Sequence, residues 1–161
     1  ETIDNFQNIY EEKWANMMRD KLGLFGDNKD DKKLINDLLN WMEKNKADYT
    51  NTFCYLMNIK IGNNNLYNDK DFINWSKNWQ KRISINDNSK DKSLKLMKKS
   101  NPIIIPRNHK VEESLEAANE DDLEVMNRLL SNLDNPYGEQ KNIEDYQLPS
   151  SDDSYQTFCG T

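Results

Sequence analysis

Apolar residues recur at intervals of three and four along most of this chain, and this spacing limits the possible fold more than any other feature of the sequence. The interval matches the 3.6-residue turn of an α-helix, so side chains at these positions share one helix face. The first such set is Phe6, Ile9, Tyr10, Trp14, Met17 and Met18. We therefore predict an all-α fold.

Further sets of the same kind predict about seven helices in total. Asp48 is predicted to cap the third helix, because aspartate is a preferred residue at that position. Residues 60–68 read as a polar loop. The apolar positions that mark the later helices are Leu34, Leu38, Trp41 and Met42, then Tyr49, Phe53, Leu56 and Met57, then Phe72, Trp75, Trp79 and Ile83, then Leu94 and Met97, then Val111, Leu115 and Ala118, and finally Met126, Leu129, Leu130 and Leu133. Those of the fifth and the seventh helix are predicted to face inward.

Two breaks divide the helical pattern. In residues 101–106 two prolines, Pro102 and Pro106, bracket three isoleucines, which predicts an extended connector. From residue 135 onward the periodicity is lost. We therefore divide the chain into a helical region, residues 1–134, and an irregular acidic tail, residues 135–161, that contains Cys159.

The composition and the net charge limit the classes of partner that this chain can bind. The 161 residues are 35% hydrophobic and 31% charged, with a formal net charge of −6. Such a charge disfavours nucleic acid and anionic membranes as partners, and no apolar run is long enough to span a bilayer. A chain this polar either has a thin core or packs one of its apolar faces against a partner. A helix that begins almost at once after Glu1 predicts that the chain is a piece of a larger protein.

No complete catalytic or metal-binding motif occurs. A single histidine excludes the His-Glu-x-x-His zinc motif, and no Gly-rich phosphate loop or Cys-x-x-Cys pair is present. Asp27, Asp30 and Asp31 only superficially resemble a calcium loop, since Lys32 replaces the required glycine. We predict no catalytic residue, cofactor site or metal site in this chain.

Arg107, Asn108 and His109 form the most distinctive polar cluster. We interpret it as structural, because one histidine without a neighbouring base or nucleophile rarely performs catalysis alone. Asn108 is predicted to cap the following helix, while Arg107 and His109 are predicted to anchor the extended connector through hydrogen bonds.

Several segments of the sequence, in the same order along the chain, together resemble the selenoprotein O / YdiU family. Residues 101–118, Asn-Pro-Ile-Ile-Ile-Pro-Arg-Asn-His-Lys-Val-Glu-Glu-Ser-Leu-Glu-Ala-Ala, are similar to its C-terminal signature. Residues 21–24, 47–53, 129–130, 135–137 and 139–140 continue the match. The sequence ends in Cys159-Gly160-Thr161, where the family often has a cysteine or selenocysteine followed by two small residues, more commonly serines. The motif residues singled out are Asp48, Tyr49, Thr50, Asn51, Asn101, Pro102, Pro106, Arg107, Asn108 and His109.

The resemblance implies a parent protein with a kinase-like, pseudokinase fold that uses ATP and magnesium to transfer AMP to Ser, Thr or Tyr hydroxyls of other proteins. The family's catalytic and metal-binding residues lie upstream of the matched region. The chain would then be a non-catalytic C-terminal scaffold and regulatory tail, whose partners are the parent's own catalytic core and its protein substrates. The implied location is the cytoplasm, or the mitochondrion in a eukaryote.

The same resemblance makes Cys159 the redox residue, with its disulfide partner in the catalytic core. Cys54, among apolar residues of the third helix, is predicted to be buried and inert. Two alternatives stay open: an independent helical protein-binding module, and a parent that transfers UMP in place of AMP.

Overall fold

A computed structural model describes residues 5–85 and 90–150, and every regular element in that part of the chain is helical. This confirms the all-α prediction. The eight α-helices of the described residues are α1 (Phe6–Lys21), α2 (Asp31–Lys44), α3 (Tyr49–Leu56), α4 (Lys70–Ser84), α5 (Lys90–Ser100), α6 (Asn108–Asn119), α7 (Glu124–Leu133) and α8 (Glu144–Gln147).

The first seven helices correspond to the seven predicted ones. Two short elements lie where none was expected: a 3-10 helix, Asn65–Asn68, within the predicted loop, and α8 within the predicted tail. The extended connector is also found, since residues 102–106 are outside any helix. No helix of the described residues has the length and apolar character needed to cross a membrane.

The chain forms two compact units, which meet in sequence after Asn101. In the first unit α2 packs against α4, and α1 packs against α5. Its core is made of large apolar side chains from all five helices. The most buried of them are Met18, Leu22, Ile35, Leu38, Phe53 and Met97.

Gly23 allows α1 to end close to α5. Its φ of 67° is in the left-handed region, and the backbone amides of Gly23 and Leu24 donate to the carbonyls of Asp20 and Arg19, which is the Schellman arrangement. A Cβ atom at Gly23 would lie 2.8 Å from the carbonyl oxygen of Ser93. Both the conformation and the close approach therefore require glycine here.

Most members of the α1 apolar stripe lie outside the core. Phe6 is 67% exposed and Tyr10 58%, and Ile9 and Met17 are also exposed, whereas Met18 is buried. The reason is geometric: α1 meets the rest of its unit through its C-terminal turns, and the core lies to one side of the stripe.

In the second unit α6 packs against α7, and the buried apolar residues are few: Ile103, Ile104, Leu129 and Ile143. Leu130 was expected to face inward but is 53% exposed, and Leu115, one of the residues that mark α6, is 52% exposed. Two helices that pack along one seam cannot cover both sides of their apolar stripes, so these two leucines are left on the outer sides.

Candidate functional site

The first group of motif residues begins α3. Asp48 is the N-cap residue, with extended backbone angles, and its Oδ1 accepts a hydrogen bond of 2.8 Å from the backbone amide of Asn51. The Thr52 hydroxyl donates to the carbonyl oxygen of Asp48 over 2.7 Å. Thr50 lies in the same turn and is half-buried. The predicted cap at Asp48 is thus confirmed, and this motif segment fixes where α3 starts.

Beside this turn, the last lysine of α1 lies against two aromatic rings. The Lys21 ammonium is 4.8 Å from the ring centroid of Phe53 and 5.4 Å from that of Tyr49. The two rings are 5.0 Å apart and meet edge to face. A cation at these distances is attracted by the negative faces of the rings.

Asn101 completes the arrangement from the end of α5. Its buried side-chain amide donates to the carbonyl oxygens of Lys21 (2.8 Å) and Met97 (2.9 Å), and its Oδ1 accepts from Lys21 Nζ at 3.0 Å. Lys21 Nζ also donates to the carbonyl oxygen of Ser100 at 3.3 Å. All donors and the acceptor of the amide are therefore in use.

We call Lys21, Tyr49, Phe53 and Asn101 the Lys21 cluster. Burial lowers the pKa of Lys21, and this is only partly opposed by the neighbouring Cys54 thiol, which raises it. Within residues 5–85 and 90–150 no carboxylate forms an ion pair with Lys21. The cluster joins three segments that are far apart in sequence, and its chemistry suits the fixing of helices better than a reaction.

Of the predictions for the two cysteines, only the one for Cys54 can be compared with the structure. Cys54 is completely buried in α3, as predicted. Cys159 lies outside the described residues, so its redox role stays a prediction.

The second group of motif residues lies in the second unit, and one assignment there is corrected. The N-cap of α6 is Arg107, not Asn108: Arg107 has extended backbone angles, and its carbonyl oxygen accepts from the amides of Lys110 and Val111. Asn108 is the first helical residue and is exposed. No side chain caps this helix.

Arg107 nevertheless takes part in holding the connector. Its Nη2 donates to the carbonyl oxygen of Gln147 at 2.8 Å, and Gln147 Nε2 donates to the carbonyl oxygen of Ile103 at 2.7 Å. The amide of Ile103 donates to the carbonyl oxygen of Pro136 at 2.7 Å. The anchoring predicted for Arg107 is present, whereas Gln147 was missed because no periodicity marks its segment.

His109 lies in the first turn of α6 and is half-buried. Its imidazole makes no hydrogen bond within the described part of the chain, so the predicted anchoring by His109 is not found there. Burial lowers the pKa of His109, and the positive charges of Lys110 and Arg107 lower it further, while Glu113 acts in the opposite direction.

One of the three aspartates that superficially resemble a calcium loop, Asp31, pairs with an arginine. Asp31 is buried and receives Arg82 in a paired contact, Nε to Oδ1 at 2.6 Å and Nη2 to Oδ2 at 3.1 Å. Arg82 also donates to the carbonyl oxygens of Phe25 and Gly26. Among the described residues no group of three or more His, Cys, Asp or Glu side chains is placed to hold a metal ion.

Comparisons with known proteins agree with the motif resemblance. The family model described as Protein adenylyltransferase SelO matches residues 1–134. Protein nucleotidyltransferase YdiU of Pelagibacter ubique is 53% identical over 165 residues, which cover 100% of this chain and 34% of the relative. The proteins of the same name from Bacillus cereus and Bacillus cytotoxicus are 46% and 45% identical, over 99% of this chain and 33% of each relative. The chain thus spans about a third of the length of these curated relatives.

Proposed function

We propose, because the chain belongs to the SelO family of protein adenylyltransferases, that it forms the C-terminal helical scaffold of a larger enzyme. That enzyme would transfer AMP from ATP to Ser, Thr or Tyr hydroxyls of other proteins, with magnesium bound in its kinase-like core. This chain would contribute none of the reacting groups. Its last residues, with Cys159, would form a redox-responsive tail.

The observation that carries the scaffold role is the convergence of motif residues on the Lys21 cluster. Asn101 is buried, with every polar atom of its side chain bonded to α1 or α5. Lys21 is held by aromatic faces and oxygen acceptors, which leaves its amine committed to this contact. Residues that are engaged in this way stabilise a particular helix arrangement.

The proposed partners follow from this role. The scaffold would pack against the catalytic core of the same polypeptide, which in turn binds ATP and selects protein substrates. A place inside the cytoplasm, or a mitochondrion in a eukaryote, fits the family resemblance. Family membership favours part of an enzyme over an independent binding module.

A substitution in the full-length protein tests the scaffold role. Asn101→Ala should lower the thermal unfolding temperature and the yield of active enzyme, because it leaves buried carbonyl groups unpaired. The KM for ATP of the folded fraction should stay unchanged in an assay of labelled AMP transfer. The matched control is Asn78→Ala, at an exposed position in α4. A large change in KM without loss of stability would place the Lys21 cluster in the nucleotide site and contradict the proposal.

The nucleotide itself has one alternative, UMP, because the curated relatives are named only as nucleotidyltransferases. Parallel assays of the full-length protein with ATP and UTP labelled on the α-phosphate separate the two. We expect label to enter protein from ATP, and excess unlabelled UTP should not compete.

A further inference from the structure

The first helix exposes a row of large apolar side chains, and the proposed function does not specify which surface of the scaffold packs against the catalytic core. Phe6, Ile9, Tyr10 and Met17 are all exposed, at 46–67% of their full surface. At about 100° per residue, Phe6, Tyr10 and Met17 lie within about 40° of one another around the helix axis. We call these four residues the exposed α1 face.

The C-terminal end of α1 is packed firmly against the rest of the first unit. Met18, Lys21 and Leu22, at the end of α1, are held by the core of the first unit and by Asn101. The rings of Phe6 and Tyr10 stack at 6.3 Å, so two of the four side chains already support each other. A firmly seated helix that presents stacked rings to water is typical of a surface that is covered in the complete assembly.

Two exposed charged residues, Lys13 and Asp20, lie between Phe6 and Ile9 around the helix axis, on one side of the group formed by Phe6, Tyr10 and Met17. On the neighbouring side of α1, Glu11 accepts from Gln7 and from Lys32 of α2. Their side chains are therefore directed to partners within this unit. An apolar strip beside a polar rim is the usual anatomy of a protein interface.

We propose that the exposed α1 face is a docking surface for the rest of a full-length SelO-family polypeptide, whose matching surface is apolar. The inference rests on the proposed function, and the relatives supply the reason for this occupant: about two thirds of their length lies outside the region matched here. Intramolecular docking of α1 would fix the scaffold on the catalytic core. A second copy of the chain is the competing occupant.

Hydroxyl-radical footprinting of the full-length protein tests the proposal directly, because Phe, Tyr and Met side chains are readily oxidised. For each residue the rate in the native protein is compared with the rate in the urea-unfolded protein. We expect native Phe6, Tyr10 and Met17 to react on the order of tenfold more slowly, as side chains in an interface core do. Native rates close to the unfolded rates would overturn the proposal.

Light scattering on the same samples identifies the occupant. Protection of α1 in a monomer supports intramolecular docking. Protection that disappears when the protein is diluted from dimer to monomer assigns the face to a second copy and overturns the proposal.

A pair of substitutions in the same helical turn provides a matched test. Tyr10→Asp places a charge on the exposed α1 face, and Asn8→Asp places the same charge on another side of α1, at an exposed residue. We expect Tyr10→Asp to raise the oxidation rate of Phe6 and Met17 in the full-length protein, while Asn8→Asp leaves both rates unchanged. Equal effects of the two substitutions would show that the face has no special role.

The interface and the proposed function can fail separately. If the full-length protein transfers AMP but α1 is not protected from oxidation, the docking proposal is wrong and the proposed function stands. If α1 is protected in a monomer that transfers no nucleotide, the docking proposal is supported and the proposed function is wrong.

Discussion

The two units of the chain are stabilised in different ways. The first has a continuous apolar core with stacked and tilted aromatic rings, among them Trp41, Tyr67, Phe72 and Trp75. The second buries few apolar side chains and is tied together by hydrogen bonds from Arg107 and the side chain of Gln147 to backbone carbonyl groups.

This difference has a consequence for how each unit responds to substitution. Loss of apolar contacts should be costly in the first unit and tolerated in the second, where single polar contacts are more important. It also means that a hydrophobic pattern alone describes the first unit better than the second. The following predictions test this contrast, from the largest expected effect to the smallest.

The largest effect should come from the buried ion pair of the first unit. Arg82→Met leaves the buried Asp31 carboxylate with only the more distant Arg19, whose Nε is 3.9 Å from Oδ2. Removal of one partner of a buried ion pair costs about 3–5 kcal/mol, and Arg19 should keep the loss toward the lower end of that range. Hydrogen exchange of α2 and α4 amides in the full-length protein measures the loss. The double variant Arg82→Met with Asp31→Leu should recover much of it, because an apolar pair can replace a buried ion pair. No recovery would mean that the bonds from Arg82 to Phe25 and Gly26 dominate.

A pair of leucine substitutions compares a buried leucine of the first unit with an exposed leucine of the second. Leu38→Ala removes a completely buried side chain of the first unit and should cost about 2–5 kcal/mol, from lost burial and the cavity left behind. Leu130→Ala, at an exposed position of the second unit, should change stability by only about 0.5 kcal/mol or less. Urea unfolding monitored by tryptophan fluorescence and by exchange of α7 amides gives both values. Similar losses would show that Leu130 is covered in the full-length protein.

Local patterns in the sequence predicted the helices, the cap at Asp48 and the burial of Cys54. Each depends on residues that are close in sequence, so spacing and residue type carry the information. The exposure of the α1 face could not be predicted, because periodicity shows that apolar residues share a face and does not show what that face contacts.

The contacts that could not be predicted join distant segments. Nothing in the sequence near Asp31 indicates that Arg82, on another helix, will pair with it. Asn101 was identified from the family resemblance, but its bonds to Lys21 depend on how α5 packs on α1. Gln147 lies in a segment without a pattern, and its contact with Ile103 exists only because the chain folds back.

In the second unit a single polar substitution should have a clear local effect. Gln147→Ala removes the donor to the buried carbonyl of Ile103, and an unsatisfied buried group costs about 1–3 kcal/mol. We expect faster hydrogen exchange in α6 and α8 and no change in α2. Gln140→Ala is the control, since Gln140 also donates to backbone carbonyls but is less buried. Equal effects of both variants would argue against a special role for Gln147.

The smallest effect should be a pH dependence that separates the two units. Both contain a base whose pKa is lowered chiefly by burial: Lys21 in the first, from an ordinary value of 10.5, and His109 in the second, from 6.5. Between the lowered and the ordinary pKa the unfolded chain binds more protons, so stability rises with pH across that window. For Lys21 this pH range lies below 10.5 and is alkaline. For His109 the range lies below 6.5 and ends near neutral pH.

When the pH is raised from the lowered pKa of His109 toward 6.5, the free energy of unfolding of the second unit should therefore increase slightly. The contribution of Lys21 to the stability of the first unit should not change in this pH range. The gain is small because His109 is partly solvated and Glu113 opposes the shift. His109 is the only histidine of the chain, so His109→Gln should remove this part of the pH dependence of α6 hydrogen exchange, after correction for the intrinsic exchange rate. Titration of the imidazole resonances by NMR gives the pKa itself. A pKa at or above 6.5 would contradict the expected direction, because stability would then stay level or fall as the pH rises.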